Sequence, residues 1–275
     1  MPKKSRNKNK PVLFLLFLVL TAAVITFQKN RTPTQFEPYF IRSNNQIEPK
    51  IIEKDELNDL ISRELSKFDG TWALAIRDLK NGKTYLHNSN AQIASASIYK
   101  LAVMWATYQA IEDGRLIETD IQNQLSAMIT ISDNDSAIYL AETLGWADIE
   151  KLMADENLSG FKLNDSTPQT TAKSTLDLLE RIYANTAVSQ EASLKMKELL
   201  FAQTVNDRIP KYLPKSAKVA HKTGELDFLR HDAGIVIGKN SHYIFVLLTE
   251  TPVPEEASEN IAQLSKKIYD ELETR

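Results

Sequence analysis

Ser97-Ile98-Tyr99-Lys100-Leu101-Ala102-Val103-Met104-Trp105-Ala106 is the stretch around which the rest of this chain is organised. From Ile98 to Glu112 apolar residues fall on most faces of a helix, the pattern of a helix buried all round. Upstream, Leu57, Leu60, Ile61, Glu64 and Leu65 recur at helical spacing and predict an amphipathic helix of about four turns. Between these helices, Trp72–Asp78 and Lys83–His87 are short apolar runs joined across Asn81-Gly82, the signature of a hairpin. Downstream the pattern stays helical, with no strand signal, to about Leu200. Strands return at Val219–Lys222, Ala233–Ile237 and Tyr243–Leu248, and a charged amphipathic helix runs from Glu255 to Leu272. A sheet completed from both ends of the chain predicts an α/β (α+β) fold. It would have an antiparallel sheet of about five strands flanked by helices, an inserted all-α subdomain, and a cleft where the two meet. The expected domain is 53–275, with 53–96 and 219–275 forming the α/β part and 97–218 the mainly helical part.

The N-terminus bears on location. Lys3, Lys4, Arg6, Lys8 and Lys10 crowd the first ten residues without an acid, and Pro11–Phe27 is apolar apart from Thr21 and Thr26. A run of ~17 residues is at the lower limit for spanning a bilayer, and it exceeds the h-region of about 7–15 residues in a cleaved signal. Only Lys29 and Arg31 follow closely, so the positive-inside rule puts the N-terminus in the cytoplasm. The expectation is a cytoplasmic basic tail and signal-anchor helix over 1–28, a polar, Pro-dotted linker over 29–52, and a domain held outside the cell membrane by this single-pass anchor. The alternative is secretion after signal cleavage.

The 275 residues carry a net charge of −3, and about −8 beyond the basic tail, which argues against a nucleic-acid partner. Cysteine is absent, which excludes a disulfide framework and a thiolate nucleophile. His87, His221, His231 and His242 lack metal-ligand spacing. A metal-free, cofactor-free monomer is expected.

Three strings carry the chemistry: S-x-x-K from Ser97 to Lys100, S-D-N at Ser132-Asp133-Asn134, and K-T-G at Lys222-Thr223-Gly224. S-x-x-K also occurs at Ser5 to Lys8, in the basic tail. Each string alone has an ordinary structural reading: Ser97 as a helix N-cap, Ser132–Asn134 as a capping sequence, Lys222–Gly224 as a strand running into a turn. Together, in this order, they point to an acyl-transfer site around a serine nucleophile.

A serine hydroxyl is a weak nucleophile until a base removes its proton. Three residues apart at a helix start, Ser97 and Lys100 share a face and fall within hydrogen-bonding reach. Lys100 needs a depressed pKa, which partial burial and the Lys222 ammonium would supply. The helix N-terminus favours negative charge near Ser97. The Ser97 N–H and a second donor at about Glu225 are expected to form an oxyanion hole. Ser132 is placed to pass a proton to the leaving nitrogen, and Asn134 to hydrogen-bond the substrate backbone and Lys100. Lys222 and Thr223 suit a substrate carboxylate, and Gly224 would let the substrate lie against the strand. His231 and Asp232, before the next strand, read as loop-ordering residues. His87 and His242 read as strand-surface or packing residues.

Over roughly residues 55–275 the chain resembles the class A β-lactamases and their relatives among the penicillin-binding proteins. Besides the three motifs, Trp72–Lys80 with Asn81-Gly82 is similar to the family's first strand and turn, Ile98–Asp113 to its central helix, and Thr167-Pro168 to the step that opens the helix after the Ω-loop. The resemblance implies the β-lactamase/transpeptidase-like fold. It also implies Ser97 as acylated nucleophile, Lys100 as general base, Ser132 as proton shuttle, Asn134 as substrate ligand, and Lys222 and Thr223 as carboxylate pocket.

Two departures matter. Asp120 to Ser132 is much shorter than the stretch that forms one wall of the family's cleft. Phe161–Asp165 runs almost directly into Ser166-Thr167-Pro168, leaving no room for the Ω-loop whose E-x-x-L-N glutamate activates the deacylating water. Glu156 and Asp165 are the nearest acids, and neither lies in a matching motif. A positioned base is typically worth ~10²–10⁴-fold. The expectation is therefore an acyl-enzyme on Ser97 formed from β-lactams or peptidoglycan stem peptides, with slow deacylation of β-lactams: a D-Ala-D-Ala peptidase-like activity. The alternatives are a true β-lactamase with another deacylating base, a non-turnover cell-wall or β-lactam sensor, and an esterase.

Overall fold

A computed structural model of the chain describes residues 55–275. The expected tail and anchor (1–28) and linker (29–52) lie outside the described residues, among which no helix is long and apolar enough to cross a membrane. Helix α1 (Glu56–Leu65) leads into the hairpin strands β1 (Thr71–Asp78) and β2 (Thr84–His87), the short strand β3 (Ile93–Ala94), a 3₁₀ turn (Ala96–Tyr99) and helix α2 (Lys100–Glu112). Helices α3 (Glu118–Thr130), α4 (Asn134–Leu144) and α5 (Trp146–Asp155) follow. Then come strand β4 (Gln169–Thr170), helices α6 (Ala172–Tyr183) and α7 (Gln190–Phe201), strands β5 (Lys218–Leu226), β6 (Leu229–Ile237) and β7 (His242–Glu250), and helix α8 (Pro254–Glu273).

The main sheet is antiparallel in the order β2-β1-β7-β6-β5, so both ends of the chain do complete it and β5 is an edge. Strand side chains alternate between faces, and here each face has its own core. Trp72, Leu74 and Ile76 of β1 join Tyr243, Phe245 and Leu247 of β7 on one face, against Leu57 and Ile61 of α1 and Ile261, Leu264 and Ile268 of α8. Ala73 and Ala75 join Ile244, Val246 and Leu248 on the other face, in the core that contains α2 and α6. Covering on both faces explains the unbroken apolar run of β7. Each large aliphatic side chain fully buried in this way contributes about 1.5–3 kcal/mol. Helix α2 is buried continuously from Lys100 to Tyr108, as its apolar circumference predicts.

Several expectations are corrected. Helix α1 has only ten residues. Gly70 soon follows at φ +96°, where a Cβ would stand 2.2 Å from the Glu250 carbonyl oxygen, so the chain turns into β1 at a position only glycine fills. Strand β4 lies in the stretch that reads as wholly helical, and it pairs with β3. Two-residue strands carry too little alternation to be read. Thr167-Pro168 does not open a helix. Helix α6 starts at Ala172 behind Thr171, whose hydroxyl accepts from the Ser174 N–H at 3.1 Å. Lys222 and Thr223 sit mid-strand in β5, not at its end. His231 and Asp232 lie inside β6, fully buried.

Candidate active site

Ser97 stands in the 3₁₀ turn between β3 and α2. Contacts from far along the chain hold this turn. Ser95 donates its N–H (2.8 Å) and its hydroxyl (3.0 Å) to the Pro168 carbonyl. His231 Nε2 donates to the Ala94 carbonyl at 2.8 Å, while its Nδ1 accepts the Thr249 N–H at 3.0 Å. These two partners fix a neutral tautomer, and burial pushes the His231 pKa down to about 4. His231 and Asp232 are therefore internal ties rather than loop residues. Asp232 accepts from Ile209 N–H (3.0 Å) and faces His221 Nδ1 (2.8 Å). His242 faces the Tyr183 hydroxyl at 3.0 Å, and His87 is exposed on β2.

The structure brings the three motifs together. Lys100, fully buried, donates to the Ser132 carbonyl (2.6 Å), the Ser132 hydroxyl (3.3 Å) and Asn134 Oδ1 (2.8 Å). Lys222, also fully buried, donates to the same Ser132 hydroxyl (2.8 Å) and to the Thr223 carbonyl (2.7 Å). Two ammonium groups thus share one oxygen. The Ser132 proton is left to point away from both of them. Ser132 lies at φ +61°, a left-handed conformation that a serine rarely adopts, and Ala96 beside Ser97 lies at φ +44°. Both outliers lie in or beside the sequence motifs, and backbone strain of this kind concentrates at functional sites. Asp133 at the same time caps α4 by accepting the Ser136 N–H at 2.7 Å, so S-D-N performs its ordinary structural task as well.

The electrostatics follow from burial. Desolvation lowers the Lys100 pKa to about 8, with the Asp133 charge opposing. Desolvation, then the Lys100 ammonium, holds Lys222 well below the ordinary lysine value. Among the described residues no hydrogen bond joins Ser97 to Lys100, contrary to the helical-spacing argument. The inward-turned Ser132 carbonyl and Asn134 take up the ammonium instead. The Asn134 amide nitrogen, on an exposed residue, has no hydrogen-bond acceptor among the described residues and is free to donate.

Gly224 has a different task from the expected one. A Cβ there would stand 3.1 Å from His231 Cδ2, 3.2 Å from Ile98 Cγ1 and 3.2 Å from the Ser95 carbonyl oxygen. Its bare face lets β5 press against the turn that carries Ser97. The Glu225 carboxylate is paired with Arg208 at 2.6 Å and Arg230 at 3.4 Å. Arg208 went unnoticed in the sequence. Its side chain is 1% exposed, its Nε donates to Ser258 at 3.1 Å, and its Nη1 has no partner. Only an arginine set in Asp207-Arg208-Ile209 marked it there, too weak a signal to use. The two acids nearest the shortened loop also separate. Glu156 is paired with Arg181, and Asp165 is exposed with no ion-pair partner among the described residues.

Comparison with known proteins agrees with this geometry. Residues 54–121 and 117–272 match the sequence profile of the Beta-lactamase enzyme family. The β-lactamase regulatory protein BlaB of Streptomyces cacaoi is 29% identical over 119 residues, covering 37% of this chain and 38% of that protein, well under half its length. Among solved structures, the β-lactamase from Sphaerobacter thermophilus DSM 20745 superposes with a TM-score of 0.73 at 18% identity, and PBP-A with 0.75 at 21%. Each match covers 80% of this chain and 97% of the other. A PBP-A variant solved as an acyl-enzyme complex with penicillin G gives 0.75 at 22% identity, with the same coverage. At such identities the superpositions establish the fold, and the profile match, over most of the chain, establishes the family. The chain belongs to the β-lactamase enzyme family.

Proposed function

We propose that the chain is a serine hydrolase that forms an acyl-enzyme on Ser97 and acts as a peptidase on D-Ala-D-Ala-type peptides, reacting with β-lactams as slowly released substrates. Neutral Lys100 takes the Ser97 proton as the hydroxyl oxygen attacks the substrate carbonyl carbon. The resulting oxyanion is held by backbone N–H groups at Ser97 and near Glu225. As the carbon–nitrogen bond breaks, Ser132 gives its proton to the leaving nitrogen and regains one from the lysine pair. Water then hydrolyses the ester. Thr223, Lys222 and the unpartnered Arg208 Nη1 would draw a substrate carboxylate to the β5 edge.

One observation carries the preference for peptidase over β-lactamase. Every acceptor around the Lys100 ammonium is neutral, and among the described residues no carboxylate hydrogen-bonds Ser97, Lys100 or Asn134. Acylation has its base in a depressed lysine, whereas hydrolysis of the ester lacks a positioned carboxylate. The penicillin acyl-enzyme of the PBP-A variant supports β-lactam acylation on this fold. The basic tail and apolar run of 1–28 support a membrane-anchored domain outside the cytoplasm.

A second reading, a sensor that acylates without turnover, is favoured by the regulatory role named for the Streptomyces cacaoi relative. Release of D-alanine from a D-Ala-D-Ala peptide by the parent, abolished in Ser97→Ala, is the result expected of the peptidase. Stable penicillin labelling without D-alanine release would assign the sensor role. An unaffected Ser97→Ala would contradict both.

A further inference from the structure

We infer that the Glu225 carboxylate is a specificity-determining plug: it covers the Arg208 guanidinium and competes there with the carboxylate of an incoming substrate. The plug lowers the advantage of a free carboxylate over a neutral amide at the leaving end of the substrate. This rests on the acyl-transfer reading above and specifies which substrates its β5 edge favours. The Arg208 side chain is 1% exposed, and its Nη1 is buried without a partner. Its Nε donates to Ser258 of α8 at 3.1 Å, and its Nη2 donates to the Glu225 carboxylate at 2.6 Å. Glu225, by contrast, has a side chain 57% exposed. The most exposed hydrogen-bond partner of this guanidinium is therefore a carboxylate of the protein itself. A second arginine holds the plug. Arg230 stands directly opposite Glu225 in the β5–β6 register, and its Nη2 lies 3.4 Å from the other carboxylate oxygen. Arg230 is in turn fixed through Nη1, which donates to the Leu226 and Leu229 carbonyls at 2.7 and 2.8 Å.

The plug sits beside the K-T-G string. Alternation along β5 puts Glu225 on the same face as Thr223. Burial, the Lys100 ammonium and the Arg208 guanidinium hold Lys222 well below the ordinary lysine value against the opposing Asp232 charge, so Arg208 lies in the field of the reaction centre. The charges at this edge are matched. Arg208 and Arg230 face Glu225 and also Asp207, whose carboxylate stands 3.8 Å from Arg208 Nε. Asp232, opposite Thr223, is committed to the Ile209 N–H and to His221. An incoming carboxylate thus meets a guanidinium that already has its counter-ion. It must displace Glu225 from Nη2 or lie beside a like charge, and either weakens its hold. A neutral amide, as in an amidated chain end or an isopeptide link, meets no such repulsion.

The test compares benzylpenicillin with its methyl ester, which differ only in the carboxylate, by the second-order rates of Ser97 labelling read by intact mass. Dividing the acid rate by the ester rate cancels whatever a substitution does to the reaction centre for both compounds. Glu225→Gln should raise this ratio roughly 3–10-fold, and Glu225→Lys should raise it further. Glu225→Asp keeps the charge and draws it back by one methylene. It should raise the ratio by about twofold, and it carries the test if Glu225→Gln does not fold. A ratio unchanged in the folded variants would overturn the plug. A fallen ratio would overturn it too, since Glu225 would then be holding Arg208 in place for the substrate carboxylate. Either result, with a parent that labels, sinks the plug alone, whereas a parent that labels with neither compound sinks the acyl-transfer reading as well.

Discussion

The knot around Lys100 and the loop from Asn157 to Pro168 are neighbours built on opposite terms. In the knot, two buried ammonium groups converge on one serine hydroxyl, an arrangement that burial and like charge both oppose. Ser132 and Ala96 are held at positive φ, each at a cost of order 1–3 kcal/mol. Every donor of Lys100 has an acceptor. The loop has no buried charge, and its one left-handed residue, Asn157 at φ +59°, is of a type that adopts that conformation readily. Residues 164–167 are exposed, and their anchorage is the Glu150 carboxylate, an isolated bridge between Lys162 and Gln169, and the Ser95–Pro168 contact. The difference separates two halves of one reaction. Under the proposed mechanism, acylation would be preorganised at the expense of stability, while the segment that would serve deacylation is held without a group committed to it.

The largest effect should come from the knot. Lys100→Ala should lower the acylation rate by about 10²–10⁴-fold, as loss of a general base does, measured as the second-order rate of penicillin labelling. In the parent that rate should rise with pH as Lys100 loses its proton and level off above about pH 8. A flat profile from pH 6 to 9 would remove Lys100 from the base role and end the contrast drawn here.

The tie behind the nucleophile should give the next effect. The folded-state pKa of His231 is about 4 against an ordinary 6.5, so its contribution to stability is complete above pH 6.5. As pH falls from 6.5 toward 4 the unfolded chain binds a proton that the folded one refuses, and roughly 3 kcal/mol is lost. Urea unfolding at pH 7 and pH 4.5 should show this loss, and His231→Gln should flatten it while lowering stability at pH 7.

The smallest effect belongs to the loop. Glu150→Gln weakens two charge-assisted hydrogen bonds on a partly exposed group, worth about 1 kcal/mol in urea unfolding. Penicillin labelling should stay within about twofold. A large loss of acylation would show that the loop shapes the acylation site after all.

The same contrast marks what could be read from the sequence. The strings at Ser97–Lys100, Ser132–Asn134 and Lys222–Gly224 are legible because each is local, and the structure adds the convergence of Lys100, Ser132, Asn134 and Lys222. The sheet was legible because β1 and β7 each alternate between two cores. What escaped depends on partners distant in the chain. His231 and Asp232 precede an apolar run and so resemble loop residues, yet Ala94, Thr249 and Ile209 satisfy them inside β6. Gly224 suggested room for substrate, whereas the space is filled by Ile98 and Ser95. Arg208 shows nothing of its burial until α8 and β5 are placed around it. Ser97 and Lys100 stand at the expected spacing, but a left-handed serine thirty-two residues downstream redirects the lysine.

The most direct test of the central claim, an acylation site without a committed deacylating carboxylate, is intact-mass spectrometry of the full chain over hours after mixing with excess benzylpenicillin. The account predicts a stoichiometric adduct that maps to Ser97 and persists after free drug is removed. Steady consumption of penicillin with the protein mass unchanged would contradict it, and would mean that a carboxylate reaches the ester by a movement this structure does not contain.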